Sequence, residues 1–249
     1  MSLLTITDLT VTFGDYTALD HINLTLTQGE LRFLIGPNGA GKTTLIDTIT
    51  GRTRPTHGHI TYNNKPIHHL PEHRIARNGI GRTFQTSVVF EHLTVADNID
   101  LATTHHLRPW QLLRAPRTLP DTVHHILDRV GLTPHTHHKA ATLSHGQRQW
   151  LEIAMLLAAR PQLLLLDEPV AGMNTDERTR TGQLLTEIAT DHTIVVIEHD
   201  MDFLRRYARD ITVLHEGRIL THGDLTTIQN HPEVQQVYLG HTPHQEHTP

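Results

Sequence analysis

Three groups of residues have the types and spacing to act on phosphate. Gly36-Pro37-Asn38-Gly39-Ala40-Gly41-Lys42-Thr43, with Thr44 following, fits the P-loop pattern. Its glycines let the backbone curl so that successive N–H groups face one point, and a helix starting at Lys42 adds roughly +0.5 of a charge at its N-terminal end. Lys42 can then reach β- and γ-phosphates, and the Thr43 hydroxyl can ligate Mg²⁺. The second group is Leu163-Leu-Leu-Leu-Asp167-Glu168. An apolar strand delivers two carboxylates at its end, Asp167 for a metal shell and Glu168 to polarise a water for in-line attack, which gives hydrolysis and not transfer to an acceptor. The third is Leu143-Ser144-His145-Gly146-Gln147 ahead of a strongly periodic stretch with Trp150, Ile153, Ala154 and Leu157. Ser144 stands at an N-cap position, so this segment is a second anion-binding helix start. His199, closing the apolar stretch from Thr193 to Glu198, is placed to hydrogen-bond a phosphate or the attacking water.

These groups need a particular set of elements to hold them. Leu9, Val11 and Phe13 alternate with threonines, and Ile22, Leu24 and Leu26 alternate with polar residues, which predicts opening strands. Leu31 to Ile35 follows a Thr-Gln-Gly-Glu turn and reads as a buried strand; helical spacing through Leu45, Ile46 and Ile49 stops at Gly51. Ile60 to Tyr62 is a further short strand. From about Leu93 to Ala159 the pattern is helical with Pro and Gly punctuation, predicting an inserted helical subdomain. Leu163 to Leu166 and Ile194 to Ile197, separated by helical spacing around Leu184, Leu185 and Ile188, have buried parallel-strand character. The segment after Gly240 has no periodicity and is expected to be disordered.

Composition narrows the possibilities. The 249 residues are 37 % hydrophobic and 19 % charged, as in a folded globular chain, and no run approaches the ~18 apolar residues of a membrane span. No secretory signal is visible at the N-terminus, and the absence of cysteine removes disulfides and thiol chemistry. A net charge of −5 argues against a nucleic-acid partner. The 23 histidines include the clusters His105-His106, His124-His125 and His135-Thr-His137-His138, but with no carboxylates at repeated ligand spacing they read as exposed positions and not as a metal site.

Taken in order, Phe13-Gly14, the glycine loop, Gln85 after Thr83-Phe84, Leu143-Ser144-His145-Gly146-Gln147, Asp167-Glu168-Pro169 and Glu198-His199-Asp200 resemble the landmarks of ABC ATPases. The resemblance runs to about Gly240. It implies an α/β P-loop NTPase of ABC-ATPase fold, with a RecA-like core, an antiparallel β subdomain and an inserted α-helical subdomain. The expected divisions are 1–85 for the β subdomain and first half of the core, 86–159 for the helical subdomain and 160–240 for the second half. It implies ATP and Mg²⁺ as cofactors, Phe13 stacked on adenine, and Gln85 as a γ-phosphate sensor that also ligates the metal and couples to a permease. His199 becomes a switch histidine, and Ser144, Gly146 and Gln147 clasp ATP bound to a second ATP-binding subunit, in a homo- or heterodimer. The implied partners are transmembrane permease subunits and, indirectly, an extracytoplasmic solute-binding protein, with the chain cytoplasmic on the inner face of the membrane. The wording Ser-His-Gly-Gln and Pro169-Val-Ala-Gly172-Met is similar to that of urea and branched-chain amino acid importers, with the urea-importer ATP-binding subunits nearest; urea or a short-chain amide is the expected cargo, branched-chain amino acids the alternative, and a soluble ABC ATPase, for example in cluster assembly, the alternative of another class. The signature motif usually has glycine where His145 stands, so the imidazole is expected to point away from the γ-phosphate or donate to it, and His145→Gly to leave hydrolysis within a few-fold.

Overall fold

The computed structural model describes residues 1–83, 89–103 and 119–239. Its backbone contacts divide the chain into two compact units: residues 1–26, 32–69 and 199 onward form one, and residues 27–31 and 70–198 form the other.

The first unit contains β1 (Ser2–Phe13), β2 (Tyr16–Thr27), β3 (Leu31–Ile35), α1 (Lys42–Ile49), β4 (His57–Tyr62) and β5 (Lys65–Pro66). A four-stranded sheet runs β2-β1-β4-β5, with β1 antiparallel to β4 and β4 antiparallel to β5. The alternation seen in the sequence buries one face of β2, through Ala18, Ile22, Leu24 and Leu26, and leaves the intervening polar residues outside. β3 has Phe33, Leu34 and Ile35 buried, as a strand covered on both faces requires.

The chain returns to this unit through α7 (Met201–Tyr207), β9 (Asp210–His215), β10 (Arg218–Gly223), α8 (Leu225–Asn230) and α9 (Pro232–Leu239). (The helices numbered between α1 and α7 belong to the second unit.) β3 pairs parallel with β9, and β9 pairs antiparallel with β10.

The second unit holds α2 (Glu72–Arg77), β6 (Ile80–Arg82), α3 (Val95–Thr103), α4 (Asp121–Val130), α5 (His145–Ala158), β7 (Leu163–Asp167), α6 (Thr175–Ile188) and β8 (Thr193–Ile197). β6, β7 and β8 are parallel neighbours, and Leu163 to Leu166 and Ile194 to Ile197 are buried throughout. The helical middle predicted from the sequence is present as α3, α4 and α5, which pack on one another. α4 buries Val123, Ile126, Leu127 and Val130 at helical spacing and ends on Gly131 in the left-handed conformation. The segment after Gly240, expected to be disordered, lies outside the described residues, as does His105-His106.

Candidate functional site

In the first unit the glycine loop joins β3 to α1, where the sequence placed it. Gly36 has φ +155, and a Cβ there would stand 2.1 Å from the Leu214 carbonyl oxygen; Gly41 has φ +101, and its Cβ would stand 2.7 Å from the Ala18 carbonyl oxygen. Neither position has room for a side chain, because the loop packs its backbone against β9 and β2. The Lys42 ammonium donates to the carbonyls of Gly36 at 2.7 Å and Pro37 at 3.0 Å. The cation is therefore held against the loop's own carbonyls.

A groove of about 710 Å³ opens on Pro37, Asn38, Gly39 and Ala40, and its other walls are Tyr16, Thr17, His215, Glu216 and Val237. It has the size of a small-ligand site. Phe13 and Tyr16 are both exposed, but it is Tyr16 that lines the groove, so the aromatic picked from the sequence is accompanied by a second, three residues on. His215 and Glu216 come from the turn between β9 and β10, which docks on the loop: Gly217 N–H donates to Ala40 O at 3.0 Å, and Asp20 N–H donates to Gly217 O at 2.8 Å. The part this turn plays as a wall follows from the β9 pairing with β3, which no local sequence pattern encodes. His199 lies exposed between β8 and α7.

In the second unit β7 carries Asp167 and Glu168 to its C-terminal end, the end at which ligands bind in open α/β sheets. The Asp167 side chain is only 3 % exposed and has the Arg82 guanidinium 3.8 Å away. Its backbone N–H donates to the Thr83 hydroxyl at 3.1 Å, fixing the strand end to the residue that leads to Gln85. Gln85 itself lies outside the described residues. Glu168 adopts φ +50, a left-handed conformation uncommon for a residue with a side chain, and its N–H donates to Ile197 O at 3.0 Å. Such backbone strain persists where surroundings over-determine it, and here they do. Val170 N–H donates at 3.2 Å to Oε1 of Glu198, a carboxylate 2 % exposed, so the loop after Glu168 is pinned on β8 at two points.

Ser144 caps α5 as expected. Its hydroxyl accepts from Gln147 N–H at 3.2 Å, Gln147 Oε1 accepts from Ser144 N–H at 2.9 Å, and the two form a capping box. The Ser144 hydroxyl in turn donates to Glu177 Oε1 at 3.3 Å, and Gly146 makes room for that carboxylate, since a Cβ would stand 2.6 Å from Oε1. Glu177 also completes the capping box of α6 with Asn174. Two helix starts thus share one carboxylate, a feature the sequence reading missed because the Asn-x-x-Glu signal of α6 shows only its local use. The Gln147 amide nitrogen lies 3.0 Å from His135 Nε2, and His135 and His138 face each other through Nδ1 at 3.1 Å. The His145 ring meets neither of these: its Nε2 lies 3.0 Å from the Ala171 carbonyl.

The donor set fits a magnesium nucleotide. In the first unit the loop that admits no Cβ, Lys42 and the Thr43 hydroxyl offer the amides, cation and oxygen ligand that polyphosphate requires, and in the second the buried Asp167 carboxylate is an oxygen ligand of the kind Mg²⁺ takes. An α/β fold with such a loop at one strand end and paired carboxylates at another is that of a P-loop nucleoside triphosphatase.

Known proteins narrow this further. The family model described as "ABC transporter" matches residues 19–171, and the chain belongs to that family. It is 36 % identical over 249 aligned positions to the high-affinity branched-chain amino acid transport ATP-binding protein BraF of Pseudomonas aeruginosa, covering 96 % of this chain and 98 % of BraF. The ADP conformation of an ATP-binding cassette of an ABC transporter superposes with TM-score 0.83 and 28 % identity, covering 96 % of this chain and 99 % of that one. A dimeric ATP-binding cassette in a post-hydrolysis state, bound to ADP and Pi, superposes with TM-score 0.73 at 25 % identity over 90 % of this chain and 99 % of that one. The fold is that of an ABC ATPase, and the chain is the ATP-hydrolysing subunit of an ABC importer.

Proposed function

We propose that the chain energises uptake of branched-chain amino acids through separate permease subunits. The observation that carries this cargo is the similarity to BraF along nearly the whole of both chains. Urea was the expectation from the Ser-His-Gly-Gln and Pro-Val-Ala-Gly-Met wording. That wording spans a few residues, none of which touches cargo, and the full-length relative supports the amino acid alternative instead. None of the described helices is long and apolar enough to cross a membrane, so the translocation path is assigned to partner subunits.

The residues take these parts in the proposed mechanism. The loop amides from Gly39 to Thr44 and the Lys42 ammonium hold the β- and γ-phosphates of ATP, Lys42 exchanging its two carbonyl acceptors for phosphate oxygens. Phe13 and Tyr16 flank the base. Thr43 and Asp167, with Gln85, would hold Mg²⁺, which when bound neutralises charge on the phosphates. Glu168 accepts a proton from the attacking water as its oxygen bonds to the γ-phosphorus and the bond to the β-phosphate oxygen breaks. His199 donates to the γ-phosphate. Ser144 and Gly146 meet the γ-phosphate of ATP held by a second ATP-binding subunit, and Gln147 joins them from the cap. One chain supplies half of each site, so closure of the pair around ATP is the power stroke delivered to the permease, and a solute-binding protein delivers the cargo from outside.

The test is uptake of labelled leucine, with labelled urea in parallel, by cells carrying the native chain or Glu168→Gln. Leucine uptake lost with urea uptake intact is the expected result. Urea uptake lost with leucine uptake intact would overturn the cargo assignment.

A further inference from the structure

We propose that His145 is a positioning residue for hydrolysis, its imidazole tying the first residue of the signature helix α5 to the Ala171 carbonyl and so setting the loop in which Glu168 stands. This rests on the reading of Glu168 as the general base.

The loop from Glu168 to Met173 has no regular hydrogen-bond ladder, so discrete contacts hold it. Glu168 N–H donates to Ile197 O, Val170 N–H donates to Glu198 Oε1, Ala171 N–H donates to Glu168 O at 3.1 Å, and Met173 N–H donates to Val170 O at 3.2 Å. The first two fix the start of the loop to the end of β8 and the residue after it, and the last two close turns within the loop. The far half is reached from α5 through His145 Nε2, 3.0 Å from Ala171 O. A carbonyl only accepts, so Nε2 carries the proton, which it does both in one neutral tautomer and in the imidazolium.

The surroundings are shaped for the ring. Gly172 follows the accepting carbonyl, and a Cβ there would stand 3.3 Å from His145 Nε2 and 3.4 Å from Cδ2, so any side chain would crowd the imidazole. A glycine at 145 could not make the contact. The helix start that carries Ser144 and Gly146 is thus joined to the carboxylate loop in two steps: imidazole to Ala171 O, then Ala171 N–H to Glu168 O. His145 is exposed, so the bond adds little to stability, and its value lies in geometry, where small misplacement is costly. That role differs from the expectation that His145→Gly leaves hydrolysis within a few-fold.

The experiment measures ATP turnover by the purified full chain as native protein, His145→Phe, His145→Gln and Glu168→Gln, with thermal melts to verify folding. Phenylalanine keeps the ring and removes the donor; glutamine returns an N–H at similar reach. The expected result for His145→Phe is a kcat lowered about tenfold with KM for ATP unchanged, and for His145→Gln recovery to within about threefold of native. In a Glu168→Gln background, His145→Phe retains ATP-dependent dimer formation by light scattering. Native turnover in His145→Phe, no recovery in His145→Gln, or loss of the ATP-dependent dimer would each overturn the proposal, the last by placing the imidazole on nucleotide. Native turnover in Glu168→Gln would instead overturn the reading on which it rests.

Discussion

At the scale of single residues, the site is built by what is absent as much as by what is present. Gly36 and Gly41 leave no space between the phosphate loop and the carbonyls of Leu214 and Ala18, so Gly36→Ala is expected to force the loop off β9. ATP affinity, followed with a fluorescent nucleotide, should fall about a hundredfold, and the melting temperature should fall with it. Lys42→Ala separates binding from folding, because the ammonium's bonds to the Gly36 and Pro37 carbonyls lie within the loop itself and it reaches nucleotide phosphate in the proposed complex. ATP affinity should drop about tenfold or more with the melting temperature within a few degrees of native. A retained affinity would place the phosphates elsewhere. His21, on the outer face of β2, has a different kind of partner: a hydrogen bond with Asp8, then the charges of Asp8 and Asp20, raise its pKa above the ordinary 6.5. A raised folded pKa contributes stability that is fully present below the unfolded value and is lost as pH rises through the folded value. Nuclear magnetic resonance titration should find the His21 midpoint above 6.5 and returned toward it in Asp8→Asn.

At the scale of elements, α5 and α6 behave as one device. Both begin with a capping box, both boxes engage Glu177, and the buried Trp150 indole N–H donates to Thr181 Oγ1 at 2.8 Å one turn further along. Thr181→Val leaves that N–H buried without an acceptor, so chemical denaturation should show a loss of about 1–3 kcal/mol, while Ser144→Ala should cost about 1 kcal/mol through the lost cap. Equal stability in Thr181→Val and native protein would mean that the indole finds another acceptor. These elements were legible in the sequence to different degrees. Leu31 to Ile35, Lys42 to Ile49, Leu163 to Leu166 and Ile194 to Ile197 stood out, because burial on both faces writes a continuous apolar run and a helix writes its own period. β9 and β10 did not, since their polar residues Thr212 and His222 make side-chain hydrogen bonds as well as serving the sheet and blur the alternation: Thr212 Oγ1 accepts from the buried Arg32 at 2.8 Å, and His222 Nδ1 lies 3.1 Å from the same guanidinium.

At the scale of the whole molecule, the chemistry was legible and the cargo was not. The phosphate loop, the Asp167-Glu168 pair and Ser144-His145-Gly146-Gln147 declare themselves because their residue types follow from what phosphate and water require. Tyr16, Glu177 and the turn bearing Glu216 enter only through contacts between segments distant in sequence. Cargo leaves no mark on a chain that never meets it, and a short stretch of motif wording pointed to urea where the full-length relative points to branched-chain amino acids. The central claim is that Glu168 drives hydrolysis in a site closed by a second subunit, and ATP turnover by purified Glu168→Gln tests it most directly. The account predicts a fall of about a hundredfold or more with ATP still bound; turnover at the native rate would contradict it.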